Sequence, residues 1–238
     1  MDDLKRKIDA AKRIVFLGGA GVSTESNIPD FRSSDGVYRT KKRNGLSPET
    51  ILSEDFFYGY PEIFFEYYRN FLLYPNAKPN PAHYALAKLE QTGKLTHIVT
   101  QNIDGLHQKA GSKSVLELHG SVYRNHCIAC GKAYSLEDIL AKEGVPQCIC
   151  GGTIKPDVVL YGENLDQRVL YDSVDAIKKA DLLMVGGTSL AVYPAAGLID
   201  FFAGKELVVI NLSSTPRDHE ATLLIQKPIG QALSFLLN

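Results

Sequence analysis

Two tight cysteine pairs, Cys127-Ile128-Ala129-Cys130 and Cys148-Ile149-Cys150, are the sharpest chemical signal in a chain of 238 residues. Four thiolates can close a tetrahedral shell with no open position, so Cys127, Cys130, Cys148 and Cys150 read as ligands of a structural zinc ion rather than a catalytic one. The second pair is one residue tighter than the usual spacing, which keeps His126, next to Cys127, as a substitute ligand. Disulfides are the competing reading, disfavoured in a reducing compartment. A closed zinc shell contributes on the order of 10 kcal/mol to the folding of a small lobe.

The other chemistry-bearing residues gather after short apolar runs. Gly18-Gly19-Ala20-Gly21-Val22-Ser23-Thr24 follows the run Ile14 to Leu17. Small residues there let backbone N–H groups approach a phosphate, and a helix N-terminus behind them would add a favourable partial charge. The stretch matches only two of the three glycines of the dinucleotide fingerprint, so a plain tight turn is an equal reading. It continues into Asn27-Ile28-Pro29-Asp30-Phe31-Arg32, where a rigid turn sets an acid, an aromatic ring and a guanidinium side by side. A carboxamide, a flat ring and a phosphate would satisfy the three.

Polar clusters end two further runs: Gln101-Asn102-Ile103-Asp104-Gly105-Leu106-His107 after Thr100, and Glu117-Leu118-His119-Gly120. The carboxyl ends of strands rim the ligand crevice of open α/β sheets, so these residues stand where chemistry is done. His119 is the candidate base because it directly follows an apolar run and precedes a glycine that leaves room for a ligand. His107 has a weaker claim, and His83, His97 and His219 have none. Gly186-Gly187-Thr188-Ser189 and Asn211-Leu212-Ser213 supply small polar groups for ribose or phosphate. Asp157 to Glu163 is an extended apolar run that either pairs with a bound peptide or is an ordinary internal strand.

These clusters need a scaffold, and the pattern predicts an α/β fold on a mainly parallel sheet. Five runs read as core strands buried on both faces: Ile14 to Leu17, His97 to Thr100, Val115 to Leu118, Leu182 to Val185 and Leu207 to Ile210. Helical spacing covers Pro81 to Gln91 and Leu170 to Ala180. Residues 34–80, rich in Tyr and Phe, and residues 121–155, with every cysteine, break the rhythm and read as insertions. The expected division is a large unit of 1–33, 81–120 and 156–238, with 34–80 as a helical module and 121–155 as a zinc-ribbon module of a smaller one.

Composition narrows the partners. The chain is 45% hydrophobic and 22% charged, which excludes disorder and a collagen-like repeat. Its 26 Lys and Arg against 27 Asp and Glu leave a net charge of −1, so no net field favours nucleic acid or acidic lipid. No apolar run reaches the roughly 18 residues of a membrane span, and the expectation is a cytoplasmic protein. No compact βαβ unit ends in a ribose-binding acid, which argues against an ordinary hydride-transferring dehydrogenase.

The ordered set GGAGVSTESNIPDFRS, TQNIDGLH, LELHG, two cysteine pairs, KPDVVLYGE, GTSLAVYP and INLS resembles the sirtuins, NAD-dependent protein-lysine deacylases, over nearly the whole chain. The resemblance implies a Rossmann-like parallel-sheet domain with a smaller helical plus zinc-ribbon domain inserted, NAD and zinc as cofactors, and acyl-lysine proteins or peptides as partners of a monomer. It implies that Ala20, Gly21, Thr24, Arg32, Gly187, Thr188, Ser189 and Asn211 hold the phosphates and adenosine half of NAD, with Ile229 near the adenine. Asp30, Ile103 and Asp104 would line the nicotinamide pocket, and Phe31 would shield the reacting ribose carbon. Gln101 and Asn102 would order the ribose and a water, Asn102 being counted with His119 as catalytic. Val158, Leu160 and Gly162, facing Val192 and Tyr193, would hold the substrate backbone as a third strand.

The implied reaction is an acyl transfer. The acyl oxygen attacks the nicotinamide ribose, nicotinamide leaves, and His119 as general base lets a ribose hydroxyl take over the acyl carbon; water then releases lysine and O-acetyl-ADP-ribose. Gly18 stands where a threonine is common and Asn27 where a glycine is common. Relatives that prefer succinyl or malonyl groups carry Tyr-x-x-Arg in the helical module, whereas here Tyr67 pairs with Asn70, and Arg69 lies about 100° around the helix. Neutral acyl groups are therefore expected. The alternative activity is protein mono-ADP-ribosylation, and His119, at the base position, speaks for deacylation.

Overall fold

The computed structural model describes residues 1–30 and 45–237. Six parallel strands form one sheet in the order β3-β2-β1-β7-β8-β9: β1 (Ile14–Gly18), β2 (Leu95–Thr100), β3 (Val115–Glu117), β7 (Leu182–Gly186), β8 (Glu206–Ile210) and β9 (Leu223–Ile225). The order turns back at β1, which lies between β2 and β7, so the ends of β1, β2 and β7 flank a crevice of Rossmann type.

Strand periodicity sends alternate residues to opposite faces. Ile14 and Phe16 of β1 join Leu182 and Met184 of β7 under α1 (Asp2–Ala10), α5 (Pro81–Gln91) and α9 (Ile229–Leu233). Val15 and Leu17 join Leu183 and Val185 on the other face, under α8 (Gln167–Lys179) and the 3-10 segment Ala195–Phe201. Burial on both faces holds for β1 and β7 but not for β3, whose residues are only half buried at the edge of the sheet. Helix α8 starts before the expected Leu170 because the Asp166 carboxylate accepts the N–H groups of Arg168 and Val169, at 2.8 and 3.1 Å.

The aromatic segment forms α2 (Pro48–Ile51), α3 (Glu54–Gly59) and α4 (Pro61–Phe71). Phe57, Phe64, Phe65, Tyr67 and Tyr68 are buried there with Val122, Val158 and Leu160. A second, antiparallel sheet has the order β5-β4-β6, with β4 (Gly120–Cys127), β5 (Ala133–Tyr134) and β6 (Ile154–Val158). Helix α6 (Leu106–Lys109) follows β2, and α7 (Leu136–Leu140) follows β5.

Candidate active site

The floor of the site is a seam between the loops after β1 and β7. The Gly21 N–H donates to the Gly187 carbonyl at 2.8 Å and the Gly19 N–H to that of Gly186 at 3.2 Å. A Cβ on Gly187, at φ +59°, would lie 2.3 Å from the Val22 nitrogen, so only glycine lets the backbones meet. Among the described residues no α-helix directly follows the glycine turn. Two short 3-10 turns, Ala20–Val22 and Thr24–Ser26, take its place, ending at Asn27 in the left-handed conformation. The N–H groups of Gly19, Gly21, Val22 and Ser23 are all bonded within the protein. Asn80, the N-cap of α5, braces the turn from below by donating to the Val22 carbonyl (2.8 Å) and the Ser26 hydroxyl (3.0 Å).

A cleft of about 670 Å³ runs across this floor. It brings together Ala20, Gly21, Thr24 and Asp30 from the first loop, Gln101, Asn102 and Ile103 after β2, and His119 beyond β3. Gly187, Thr188 and Ser189 after β7, Asn211 after β8 and Ile229 of α9 complete its long side. Val158, Leu160 and Gly162, with Val192 and Tyr193, line the other end. Phe31 and Arg32 lie outside the described residues.

Asp104 is set behind the wall. Its carboxylate accepts the Ser23 hydroxyl at 2.6 Å and the Leu106 N–H at 2.9 Å, and burial pushes its pKa up. The Asn102 amide donates to the Ser23 oxygen at 3.2 Å, so Ser23 joins the β1 and β2 loops through two polar residues. Sequence reasoning passed over Ser23; its place inside the quoted glycine turn, facing inward after Val22, was the only signal. Gln101 donates to the Thr188 hydroxyl at 3.1 Å, and Asn211 to the Thr188 carbonyl at 3.2 Å.

His119 Nδ1 lies 2.9 Å from the Gln101 carbonyl. A carbonyl only accepts, so Nδ1 carries the proton and Nε2 of the neutral ring is left as the base. Burial lowers the His119 pKa, opposed by that hydrogen bond, so the ring is neutral at pH 7. Behind it Gly120, at φ +76°, has no room for a side chain: a Cβ would meet the Asp157 carbonyl oxygen at 1.8 Å. The backbone thus turns sharply into β4 directly after the candidate base.

The four cysteines gather in the small sheet, with their sulfur atoms within 4.8 Å of one another. Cys127 and Cys150 Sγ are 3.5 Å apart and Cys130 and Cys148 Sγ 3.6 Å apart. Tetrahedral zinc with bonds of about 2.3 Å requires sulfurs about 3.8 Å apart, and the cluster fits. These contacts are too long for disulfide bonds. The Cys150 N–H and the Tyr134 hydroxyl, 3.0 Å away, pull the Cys148 thiol down, while against the Gly152 N–H the neighbouring sulfurs push that of Cys150 up. His126 is paired with Asp157 instead of joining the cluster.

A doubly wound parallel sheet with a long crevice at its turning point, beside a cysteine-bearing sheet, defines a nucleotide-type α/β protein with a structural metal module. The chain belongs to the Sir2 family, whose pattern matches residues 19–194. It is 57% identical over 244 residues to an NAD-dependent protein deacetylase of Clostridium perfringens, covering all of both chains. It is 55% identical over 239 residues to one of Clostridium acetobutylicum, covering 100% of this chain and 98% of that one. Among solved structures, a Sir2 variant with deacetylated p53 peptide and 3′-O-acetyl ADP ribose superposes with a TM-score of 0.90 at 40% identity, covering 98% of this chain and 95% of that one. A Sir2 complex with p53 peptide and NAD+ gives 0.88 at 40%, covering 100% and 97%.

Proposed function

We propose that this chain is an NAD-dependent protein-lysine deacetylase, passing the acetyl group of a modified lysine to ADP-ribose and releasing nicotinamide and O-acetyl-ADP-ribose. The observation that carries the reading is the placement of His119: a neutral imidazole facing a cleft that joins the glycine turn at one end to the segment 158–162 at the other. NAD supplies the leaving nicotinamide and the ribose that receives the acetyl group.

In this reading Ala20, Gly21, Thr24, Thr188, Ser189 and Asn211 hold the phosphates and adenosine half, with Gly187 below and Ile229 at the adenine; Arg32 and Phe31 keep their assigned roles. Asp30 and Ile103 form the nicotinamide end, with Asp104 behind them. Gln101 fixes the His119 tautomer through its carbonyl, and Asn102, held by Ser23, orients the ribose hydroxyls. His119 Nε2 takes the hydroxyl proton. Val158, Leu160 and Gly162 face Val192 and Tyr193 across the acyl-lysine peptide. Zinc on Cys127, Cys130, Cys148 and Cys150 is structural, and the chain divides as expected above. The enzyme acts as a cytoplasmic monomer on proteins rather than nucleic acid, in keeping with its near-zero net charge. Among the described residues no helix is long and apolar enough to cross a membrane.

Neutral acyl groups fit best. Leu52, Leu72 and Leu160 give the cleft apolar lining. Arg69 is occupied elsewhere, donating to the carbonyls of Gly144 (2.6 Å) and Lys142 (2.8 Å). Incubation with NAD and matched acetyl- and succinyl-lysine peptides, read by mass, tests both parts. Expected are nicotinamide and O-acetyl-ADP-ribose, weak succinyl turnover, and loss of acetyl-ADP-ribose with retained NAD binding in H119A. ADP-ribosylated protein as the product would favour the alternative activity.

A further inference from the structure

Lys155 is a charged residue in the wrong place for a surface lysine. Only 9% of its side chain is exposed, and 20% of that of its partner Glu163. Its ammonium lies 3.0 Å from Glu163 Oε1 and 3.1 Å from Oε2, and donates to the carbonyls of Pro156 (3.3 Å) and Val158 (3.2 Å). The Phe57 ring of α3 lies 5.9 Å away. Glu163 in turn accepts the Leu160 N–H at 2.8 Å, while its own N–H donates to the Leu160 carbonyl at 3.0 Å. A buried charge is costly unless paired and hydrogen-bonded, and this pair uses its bonds on the backbone of one short segment.

That segment is the continuation of β6, an edge strand of the small sheet. The Val159 N–H faces inward, to the His119 carbonyl at 3.0 Å, so the Val158 carbonyl and both backbone groups of Leu160 point to the open edge. Those are the groups an added strand would use, and the Lys155 ammonium, the Glu163 carboxylate and the Glu163 backbone N–H occupy them. Tyr161 is tied down as well: its N–H donates to the Leu52 carbonyl and its carbonyl accepts the Glu54 N–H, both at 2.9 Å. Within 160–163, Gly162 is the residue with neither backbone group bonded among the described residues.

We infer that the Lys155–Glu163 pair is a positioning device: it caps the edge at Val158 and Leu160 and leaves the Gly162 backbone as the place where a peptide main chain is gripped, which sets the register of the modified lysine against His119. The inference rests on the reading that the acyl-lysine peptide lies along 158–162.

Steady-state kinetics of full-length wild type, K155M, K155R, E163Q and Y193A with one acetyl-lysine peptide and NAD test it. K155M and E163Q should raise the peptide KM on the order of tenfold, with kcat and the KM for NAD within about twofold. K155R should recover most of the loss. E163Q keeps an acceptor for the Leu160 N–H and carries the test if K155M fails to fold. An unchanged peptide KM, with loss only of kcat or thermal midpoint, would mean a merely structural pair and overturn the inference. Y193A perturbs the facing wall without touching the pair. A raised peptide KM in Y193A alone sinks the inference and spares the peptide site, whereas unchanged peptide KM in every variant sinks both.

Discussion

The two sheets of this molecule meet at His119 and Gly120 yet are held by different physics. The parallel sheet buries alternate residues of β1, β7 and β8 in continuous cores on both faces. Around its cysteines the small sheet has little to bury: Ile139 and Ile154 are the buried aliphatic side chains packed with Cys127 and Cys148, while Ile149 is 87% exposed. Two isoleucines at about 1.5–3 kcal/mol each fall short of what a closed zinc shell contributes. The difference teaches that the sheet under the cleft stands on its own packing and backbone bonds, whereas the cysteine module beside it has a cluster built to be closed by a metal.

The largest test of that contrast is removal of the metal. Chelation, or C148S, should cost the small sheet about 10 kcal/mol. Hydrogen exchange should then show the amides of β4 and β5 losing protection while β1, β7 and β8 keep theirs. Equal loss in both sheets would break the distinction. Next in size is F16A, which opens a void in the larger core and should cost about 3–5 kcal/mol in urea unfolding, with zinc content unchanged.

The smallest effect is one of pH, and it belongs to the parallel sheet. His83 and His107 meet edge to face in the core, with ring centroids 4.8 Å apart. Burial lowers His83 to about 4 and His107 well below its ordinary value, with His83 also opposing charge on His107. The unfolded chain takes up protons near 6.5. The stability these neutral rings allow is therefore complete above that pH and falls as pH drops below it, by up to about 1.4 kcal/mol per unit for each histidine. Thermal midpoints between pH 7.5 and 5.0 should show this slope in wild type and a flatter one in H107L. Equal slopes would remove the histidines as its source.

Much of this was legible because it rests on local pattern. Apolar runs marked five strands of the parallel sheet, and the cysteine spacing marked a cluster that the fold closes. The misses have physical causes. β9 is a three-residue edge strand with Leu224 exposed, too short and too half-buried for a pattern to show. The 3-10 turns after β1 follow from the tertiary seam with Gly187, which no local propensity encodes. Lys155 reads as a solvated charge in any sequence, since its burial depends on where Glu163 and Phe57 arrive in space.

The seam between Gly21 and Gly187 also bears on how the protein is made. Ribosomes deliver the chain from its N-terminus, and the first glycine turn emerges long before the loop that supports it. A nascent chain that stops short of Gly187 has no floor on which a dinucleotide could rest. Ligand binding during synthesis can therefore protect only chains that extend past Gly187.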